Sequence, residues 1–467
     1  MPASERMEAI LKSLDKAYTG PLYSMKDWDI KVLPTAIKGL LKKYNIAKAC
    51  DMENPVNADD EIADLFYKAG YELALELGFY CENTERVIKV SEEEIKQALA
   101  AAPRQMVFGA GKDEVVMTPR RPEDEIIPKV VAPLALMAEE KYVVGILAGT
   151  AKYRKLVDVL NGMTIEKATG RDMRAGTPYE TWLGFYEQEL KRHALKMIDR
   201  EEMGTCGVGN SVTEYGHLAG CAATPGRNPL SMCLLPAEMK ITFANFHRAI
   251  NAINYGHMLH AGGPSFIGGY AGSVEGAVLV SVANDFLLST ILRVDNTNSN
   301  IYDINKFCNT LPKAIWGNSV AIQATTRNTG IMTNRIVNMI SGPMTREFFY
   351  EAAVGHLNFC VSGATKVLAP RSAGGRYVNH ITPVEAWWCA QVFKSSAGMT
   401  RKEANDIIKR LLPKYQDELV QPKMGSPCNE CFDFERLEPT AEYLAMYKQM
   451  EKEMMDAGVP VDRFSVL

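Results

Sequence analysis

The chain has 467 residues, of which 47% are hydrophobic and 23% are charged, and its formal net charge is -4. This balance is typical of a globular protein and excludes a disordered chain. The weak negative charge, with no basic run that includes aromatic residues, excludes nucleic acid as an expected partner. The charged first residues form no apolar signal segment, and we expect a cytoplasmic protein with ten reduced cysteines and no membrane span.

The first part of the chain, residues 1–125, has the pattern of a mainly helical extension. Apolar residues recur at helical spacing over 6–18, 26–44 and 59–77, and Gly78 ends the third of these helices. Ser91 and Glu94 have the spacing of a capping box, which predicts a helix to residue 102. Residues 108–118 are predicted to form a hairpin.

The middle of the chain, residues 126–399, alternates short apolar runs with helical segments. Eight such units over this length predict a (β/α)8 TIM barrel, and a doubly wound sheet is the alternative. The predicted helices are 178–198, 238–254, 274–286, 345–360 and 384–396. The predicted strands are 127–132, 157–160, 204–206, 231–235, 256–260, 290–294, 337–340 and 366–369.

The last part of the chain, residues 400–467, returns to a helical pattern and is predicted to pack on the barrel. Thr400 and Thr440 are N-cap residues of two predicted helices. Between them lie Cys428 and Cys431, spaced as C-x-x-C. One such pair with no second pair beside it is a weak indication of zinc.

A glycine-rich segment over residues 203–217 is the centre of the functional hypothesis. It has the pattern of a buried strand, a bend and the start of a helix, and Cys206 lies where the strand ends. In a TIM barrel the ends of the strands carry the catalytic groups. The alternative is that Cys206 is a small residue of the core.

The other predicted strand ends also carry polar residues, and their side chains are candidates for a shared site. Asn and Asp are common in turns, so a chance cluster is the alternative. The residues at or after the predicted strand ends are Pro133, Asn161, Cys206, His260, Asp295, Asn296, Ser341 and Arg371.

Two other chemistries are weaker alternatives for this rim. A metal site would join Cys206 to Asp295 and to residues among His217, Cys221, His257 and His260, but the spacing matches no structural zinc pattern. A Schiff-base enzyme would use Lys366, which begins the eighth predicted strand and not its far end.

The chain resembles the monomethylamine methyltransferase family, and the resemblance covers nearly its whole length. It rests on seven motifs in the same order as in the family. They are 26–29 (Lys-Asp-Trp-Asp), 68–72 with Cys81, 109–112, 267–272 (Ile-Gly-Gly-Tyr-Ala-Gly), 341–343, Glu430 and Cys431 with Asp433, and 439–440 with Glu442 and Tyr443.

The resemblance implies a barrel enzyme that passes a methyl group to the cobalt of a partner corrinoid protein. It also implies a homo-oligomer. The family carries pyrrolysine at a glycine-flanked strand end, and the resemblance places Cys206 there. It places Met232, Gly262 and Ile336 where the family has two glutamates and a glutamine.

These features together predict a non-pyrrolysine methyltransferase that acts on a small methylated compound, such as a quaternary amine. The expected catalytic residues are Cys206, His260 and Glu214, with Asp295, Asn296, Tyr215 and Tyr270 binding the substrate. Trp387 and Trp388 are further candidates for cation-binding faces. We expect neither a metal nor a permanently bound cofactor, because the corrinoid belongs to the partner. The alternatives are a TIM-barrel lyase or aldolase, and a non-catalytic protein that docks a corrinoid protein.

Overall fold

The barrel consists of eight parallel strands in the part of the chain that the computed structural model describes, which is residues 3–207 and 212–467. This confirms the predicted α/β fold class, whereas the division into three segments stays a prediction. The barrel strands, β1 to β8 in chain order, are Lys129–Ala132, Val159–Leu160, Gly204–Thr205, Leu230–Leu234, Met258–Gly262, Asn296–Thr297, Asn334–Arg335 and Lys366–Leu368.

Parallel pairing closes these strands into a ring. β7, β8, β1, β2 and β3 form one continuous sheet, and β4, β5 and β6 form a second. Two isolated parallel bridges join the sheets, Cys206 with Leu230 and Thr297 with Thr333. The carboxyl ends of all eight strands therefore meet at one mouth of the barrel.

Each barrel strand is followed by a helix that packs outside the ring, as alternation of strand and helix requires. In chain order these helices are Glu140–Ala151, Pro178–Met197, Glu214–Ala223, Phe243–Asn254, Val274–Ile291, Pro312–Asn328, Arg346–Val361 and Pro383–Ser395. Short strands in the connections are Lys167–Ala168, Arg171–Asp172, Lys240–Ile241, Pro264–Ile267 and Asn300–Asp303, with a 3-10 turn at Ser372–Gly375.

The N-terminal part is mainly helical, as its pattern predicts. Asp59 caps one helix, and Ser91 with Glu94 forms the predicted capping box of another. The helices are Ala3–Thr19, Met25–Asp27, Leu33–Lys43, Asp60–Leu77 and Glu92–Ala101, with a π-helical turn at Trp28–Val32 and a 3-10 turn at Gly111–Asp113. The strands are Phe79–Cys81, Arg86–Ile88, Met106–Phe108 and Val115–Met117.

The hairpin Met106–Phe108 and Val115–Met117 covers the end of the barrel opposite the mouth. The Ala110 N–H donates to Glu202 O at 2.9 Å, and the Gly109 N–H donates to Arg227 O at 3.2 Å. Because residues 202 and 227 precede β3 and β4, these contacts place the hairpin at the amino ends of the strands.

The C-terminal part returns to helix, as predicted, and packs on the barrel helices. Gln391 of the last barrel helix, for example, donates to Glu451 Oε1 at 2.6 Å. The elements are Arg401–Leu411, Leu412–Lys414, Glu418–Val420, Cys428–Cys431, Phe432–Asp433, Glu438–Pro439, Ala441–Asp456 and Val461–Phe464.

Two predicted strands are wrong in position. The predicted strand 290–294 is the end of the helix Val274–Ile291 and the turn after it, and β6 follows at Asn296–Thr297. The predicted strand 337–340 follows β7, which is Asn334–Arg335. Both true strands are polar, whereas the predicted ones are apolar runs beside them, and periodicity alone does not separate the two kinds of element.

The helix Val274–Ile291 is long and apolar enough to cross a membrane by length and composition alone. All of its 18 residues are buried within the fold. It packs between the barrel wall and the N-terminal helices, and several of its residues belong to the apolar core formed with Asp60–Leu77. Its composition is therefore explained by burial in protein.

Candidate active site

Cys206 follows β3 and its side chain faces the interior of the barrel. A Cβ added to Gly204 would lie 2.7 Å from Cβ of Phe108, which belongs to the hairpin that covers the barrel floor. Gly204 therefore faces inward. Since side chains alternate along a strand, Cys206 also faces inward, one layer nearer the mouth. The Cys206 side chain is fully buried.

Two side chains of the helix Pro178–Met197 hold the backbone at this strand end. Lys191 Nζ donates to Cys206 O at 2.7 Å and to Gly207 O at 3.1 Å. Gln188 Nε2 donates to the same Gly207 O at 2.9 Å. Both side chains are fully buried. These bonds fix the direction in which Cys206 enters the barrel, although residues 208–211 of the predicted glycine-rich bend lie outside the described residues.

His260 and Lys366 meet across the barrel interior. Lys366 Nζ lies 2.8 Å from His260 Nδ1. Because β5 and β8 are not neighbours in the ring, this contact has to pass through the interior. The Nε2 atom of His260 has no partner among the described residues. With Lys366 donating to Nδ1, His260 is the tautomer that carries its proton on Nε2.

Burial controls the charge of these three groups. It raises the pKa of the Cys206 thiol to about 11, against the opposing effects of Lys366 and Lys191. It lowers the pKa of Lys366 to about 7, against the effect of Cys206. It also lowers the pKa of His260 well below its usual value, and Lys366 adds to this shift. At neutral pH the thiol and the imidazole are therefore uncharged.

Met232, Gly262 and Ile336 face the same interior. Met232 pairs with His260 in register, and Gly262 lies two residues after His260 on β5. Ile336 lies two residues after Asn334, which pairs with the inward-facing Lys366. Directly paired residues share a face of the sheet, so all of these positions line the barrel interior.

The surroundings of Gly262 leave no room for a side chain. An added Cβ would lie 1.9 Å from the carbonyl oxygen of Asn298 and 2.6 Å from its Cβ. Both distances are far below contact distance, and the nearest atom belongs to backbone, which cannot swing away. The barrel in this form is thus built for glycine at position 262.

The two candidates that follow the glycine-rich segment lie at the start of a helix. Glu214 is the first residue of Glu214–Ala223 and is half-buried, and Tyr215 follows it and is exposed. Tyr270 lies after β5 near the mouth, where it is exposed and Lys240 Nζ lies 5.5 Å from its ring centroid. These three residues lie on the outer rim and are not in the interior with Cys206.

Three predicted rim positions need correction. His260 lies in the middle of β5 and not at its end, so it sits below the mouth. Asp295 precedes β6, where its Oδ2 accepts from Arg6 Nη2 and from the Leu259 N–H, both at 2.6 Å. Asn296 begins β6, and its Nδ2 lies 3.6 Å from Sδ of Met106 on the barrel floor. The errors at 295 and 296 arose because the sixth strand was predicted at 290–294, whereas β6 is Asn296–Thr297.

The described residues do not support the metal alternative. They contain no group of three or more His, Cys, Asp or Glu side chains that could hold a metal ion. Cys221 is instead hydrogen-bonded outside the barrel, with its Sγ 3.3 Å from Ser231 Oγ and 3.5 Å from His217 Nδ1. Ser231 Oγ in turn lies 2.7 Å from His257 Nδ1. Cys428 and Cys431 are buried free cysteines.

The two tryptophans proposed as cation-binding faces belong to the core. Trp387 and Trp388 are fully buried in the helix Pro383–Ser395. Their indole N–H groups donate to Gly149 O and Phe349 O, each at 3.0 Å. They are therefore packed between helices and are not part of the site.

Sequence reasoning missed Lys191 and Gln188 as functional side chains. They lie on a helix with no motif, and only the fold brings them to the end of β3. The one available signal is a polar triplet, Glu187, Gln188 and Lys191, on a helix face that is otherwise expected to be buried.

Comparison with known proteins supports the methyltransferase fold and class. The family model "Monomethylamine methyltransferase MtmB" matches residues 9–459. The monomethylamine methyltransferase MtmB3 of Methanosarcina barkeri is 25% identical over 465 residues, which covers 95% of this chain and 97% of that protein. MtmB of Methanosarcina mazei is 25% identical over 459 residues, with the same shares covered.

The solved structures agree in fold. The crystal structure of the M. barkeri monomethylamine methyltransferase covers 96% of this chain and 98% of its own, with a TM-score of 0.91 and 23% identity. The hydroxylamine complex of MtmB gives a TM-score of 0.92 at the same identity and coverage. Since the family model spans all but the ends of the sequence, this chain belongs to the monomethylamine methyltransferase MtmB family.

Proposed function

We propose that the protein transfers a methyl group from a small methylated compound to Co(I) of a separate corrinoid protein, without pyrrolysine. The observation that carries the proposal is the set of side chains that line the barrel interior near the end of β3, in a chain of this family. Cys206 stands at the inward-facing position there, and Met232, Gly262 and Ile336 share the interior. None of the four offers an imine or a carboxylate.

Without an imine the substrate has to arrive with its methyl group already activated. A quaternary ammonium carries positive charge, and its methyl group can leave while the nitrogen keeps the electron pair. The protein then contributes chiefly by holding the donor in line with the acceptor. The corrinoid of the partner protein, when docked at the mouth, supplies that acceptor.

We assign Cys206 the role of shaping the space for the donor. With its thiol pKa raised to about 11 by burial, the side chain is a neutral thiol near pH 7 and a poor nucleophile. His260 is the candidate donor of a hydrogen bond to the leaving group, because it is a neutral imidazole whose buried Nε2 has no partner among the described residues. Glu214, Tyr215 and Tyr270 are proposed to act at the entrance, where the carboxylate attracts a cationic donor.

The test is optical. A corrinoid protein is reduced to Co(I), this protein is added, and methylated amines, quaternary amines, thioethers and methoxy compounds are screened for loss of the Co(I) absorption. We expect one class to react, and Cys206→Ala and His260→Gln to slow the reaction without unfolding the protein. Silence over the panel, with a corrinoid protein that accepts methyl groups from a known methyltransferase, contradicts the proposal.

A lyase or aldolase is the second candidate, and one observation favours it. Burial lowers the pKa of Lys366 to about 7, so a large share of this amine is uncharged at neutral pH. A neutral amine can attack a carbonyl and, with loss of water, form an imine. Borohydride would trap such an adduct, and a mass shift on the peptide that contains Lys366 would favour this candidate.

Docking without catalysis is the third candidate. A tight complex with a corrinoid protein, with no transfer from any donor in the panel, would favour it. We also propose a cytoplasmic homo-oligomer, which follows from the family resemblance. Light scattering of the purified protein tests the oligomer, and a mass equal to that of a single chain would contradict it.

A further inference from the structure

Arg371 is a half-buried cation at the barrel mouth, and the part of the chain that the structure describes places no carboxylate beside it. It follows β8 after Leu368, and it forms an isolated parallel bridge with Asn338, which follows β7. Among the described residues no Asp or Glu oxygen lies within 4 Å of its guanidinium. Its side chain hydrogen bonds are two contacts of 3.4 Å from Nε and Nη2 to Gly374 O, which are long for N–H donors.

The charged groups around Arg371 do not neutralise it. Arg376, on the same loop, has the same sign and is exposed. The nearby Tyr302 is a neutral phenol, since burial raises its pKa to about 12. Arg335 is also near Tyr302 and has its own partner, Asp285, at 3.6 Å. The loop after β8 therefore carries two positive charges, those of Arg371 and Arg376.

The guanidinium lies over the edge of an aromatic cluster. Its central carbon lies 5.0 Å from the ring centroid of Phe307, and this ring stacks on Tyr302 at 5.4 Å. Phe266 lies 6.1 Å from Phe307 and completes the aromatic cluster. Tyr302 and Phe266 are paired in register on the strands that continue β5 and β6, so they share one face. An apolar wall of this kind excludes water and strengthens a charge pair.

One buried oxygen beside the same loop, Oδ1 of Asn338, has no hydrogen-bond partner among the described residues. Asn338 is bridged to Arg371. An amide oxygen can accept a hydrogen bond from a protonated amine. The residue bridged to the cation therefore offers an acceptor for the amine of a ligand. The nearby Ser341 is occupied by Glu351, whose Oε2 accepts from the Ser341 N–H at 3.0 Å.

We propose that Arg371 binds a carboxylate of the methyl donor and so selects the substrate. A guanidinium matches a carboxylate with two parallel N–H···O bonds, and a half-buried cation without a partner is costly until such a group binds. The donor is then a methylated amine or thioether that also carries a carboxylate, such as an N-methylated amino acid. This inference rests on the proposed methyl transfer and narrows its substrate class.

Equilibrium binding of matched probes tests the inference without a corrinoid protein. The pairs are trimethylglycine with choline, and N,N-dimethylglycine with N,N-dimethylethanolamine, which differ by carboxylate against hydroxymethyl. We expect calorimetry to show tighter binding of each carboxylate member by about 10- to 100-fold, the range for a charge-assisted hydrogen bond. Equal affinity within both pairs overturns the inference, whatever the outcome of the methyl-transfer assay.

Variants of the same loop localise the effect. Arg371→Gln should weaken the carboxylate members by about 10- to 100-fold and leave the others unchanged, and Arg371→Lys should lie between. Arg376→Gln removes an exposed charge of the same loop and should change neither. If Arg371→Gln does not fold, the affinities of Arg371→Lys and of the wild-type protein for the matched probes still test the inference. Loss of affinity for both members of a pair, or an equal loss in Arg376→Gln, overturns the assignment.

Steady-state kinetics distinguish an anion on the methyl donor from an anion on the corrinoid protein. If Arg371 binds the donor, its substitution raises KM for the donor and leaves KM for the corrinoid protein unchanged. A rise only in KM for the corrinoid protein would place the anion on that partner and overturn the inference. A binding preference for carboxylates with no transfer from any donor would contradict the proposed function and leave this site standing.

Discussion

Lys366 Nζ and His260 Nδ1 lie 2.8 Å apart inside the barrel, although 106 residues separate them in the chain. The pair combines an amine whose pKa burial lowers to about 7 with an imidazole that stays neutral. When the amine donates to Nδ1, the imidazole carries its proton on Nε2, which has no partner among the described residues. Because the Lys366 amine loses its proton near neutral pH while it is buried, the stability of the protein should depend on pH.

We expect Lys366 to contribute a stability that rises with pH above 7. Its folded pKa of about 7 lies below its ordinary value of about 10.4, so between these values the unfolded chain binds a proton that the folded chain does not. The free energy of unfolding should then rise by about 1.4 kcal/mol per pH unit from this group. Urea unfolding at pH 7.0 and 8.5 measures the slope.

Lys366→Met supplies the control for that slope, because it removes the titrating amine and keeps an unbranched side chain. The variant should be more stable than the wild type at pH 7 and should lose the added slope. The buried thiols act in the opposite direction as pH approaches the ordinary cysteine pKa of about 8.5, but both proteins contain them, so the difference between the two slopes isolates Lys366. Parallel slopes in the two proteins would show that Lys366 is not the titrating group.

Lys191 holds the Cys206 and Gly207 carbonyls from outside the barrel, so we expect its substitution to reduce activity although it does not contact the substrate. Lys191→Met should lower turnover and cost about 1–3 kcal/mol of stability, since it leaves a buried carbonyl of Cys206 without this donor. Lys196 is exposed on the same helix, and Lys196→Met should change neither quantity. Equal turnover in both variants would show that the β3 end holds its position without Lys191.

Much of the barrel could be predicted from sequence because strands buried on both faces appear as apolar runs. The position of β7 was not predicted, because this strand carries polar side chains on both faces. Asn334 donates to Asn298 Oδ1 at 2.8 Å inside the barrel, and Arg335 meets Asp285 at 3.6 Å outside it. Each polar group has a partner more than 30 residues away, and a single sequence does not show which residues will meet.

The site was predicted less well than the fold, for the same reason. Cys206 was placed correctly at the end of β3 because glycines and an apolar stretch mark that boundary. Lys366 was set aside because it begins its strand, yet its long side chain reaches His260 in the interior. A sequence gives the strand position of a lysine, but not how far its side chain crosses a barrel.

Asp295 is expected to stabilise the fold and not to bind substrate. Its carboxylate pairs with Arg6 of the first helix at 2.6 Å and accepts from the Leu259 N–H, and so ties that helix to the barrel. Asp295→Asn should cost about 1–2 kcal/mol in urea unfolding, a modest value because both side chains keep some solvent contact. KM for the methyl donor should not change. A raised KM with unchanged stability would return Asp295 to the site.

The contacts of Gly262 predict that a carboxylate side chain cannot be introduced at this position without a shift of the backbone. Gly262→Glu places a Cβ where Asn298 O lies 1.9 Å away, so the backbone of β5 or β6 has to move. We expect a loss of more than about 2 kcal/mol, in the range for overpacked cores, and no gain of activity with monomethylamine. Gly262→Ala should show most of the same loss, because the first added carbon already makes the contact.

Gly39 offers a matched control for the glycine series. It lies in the helix Leu33–Lys43, and an added Cβ there meets nothing within 4 Å among the described residues. Gly39→Ala should therefore stabilise the protein by about 0.5–1 kcal/mol, since alanine favours helix over glycine. If Gly262→Ala proves as harmless as Gly39→Ala, then β5 and β6 can separate at the mouth. Position 262 would in that case have room for a larger side chain.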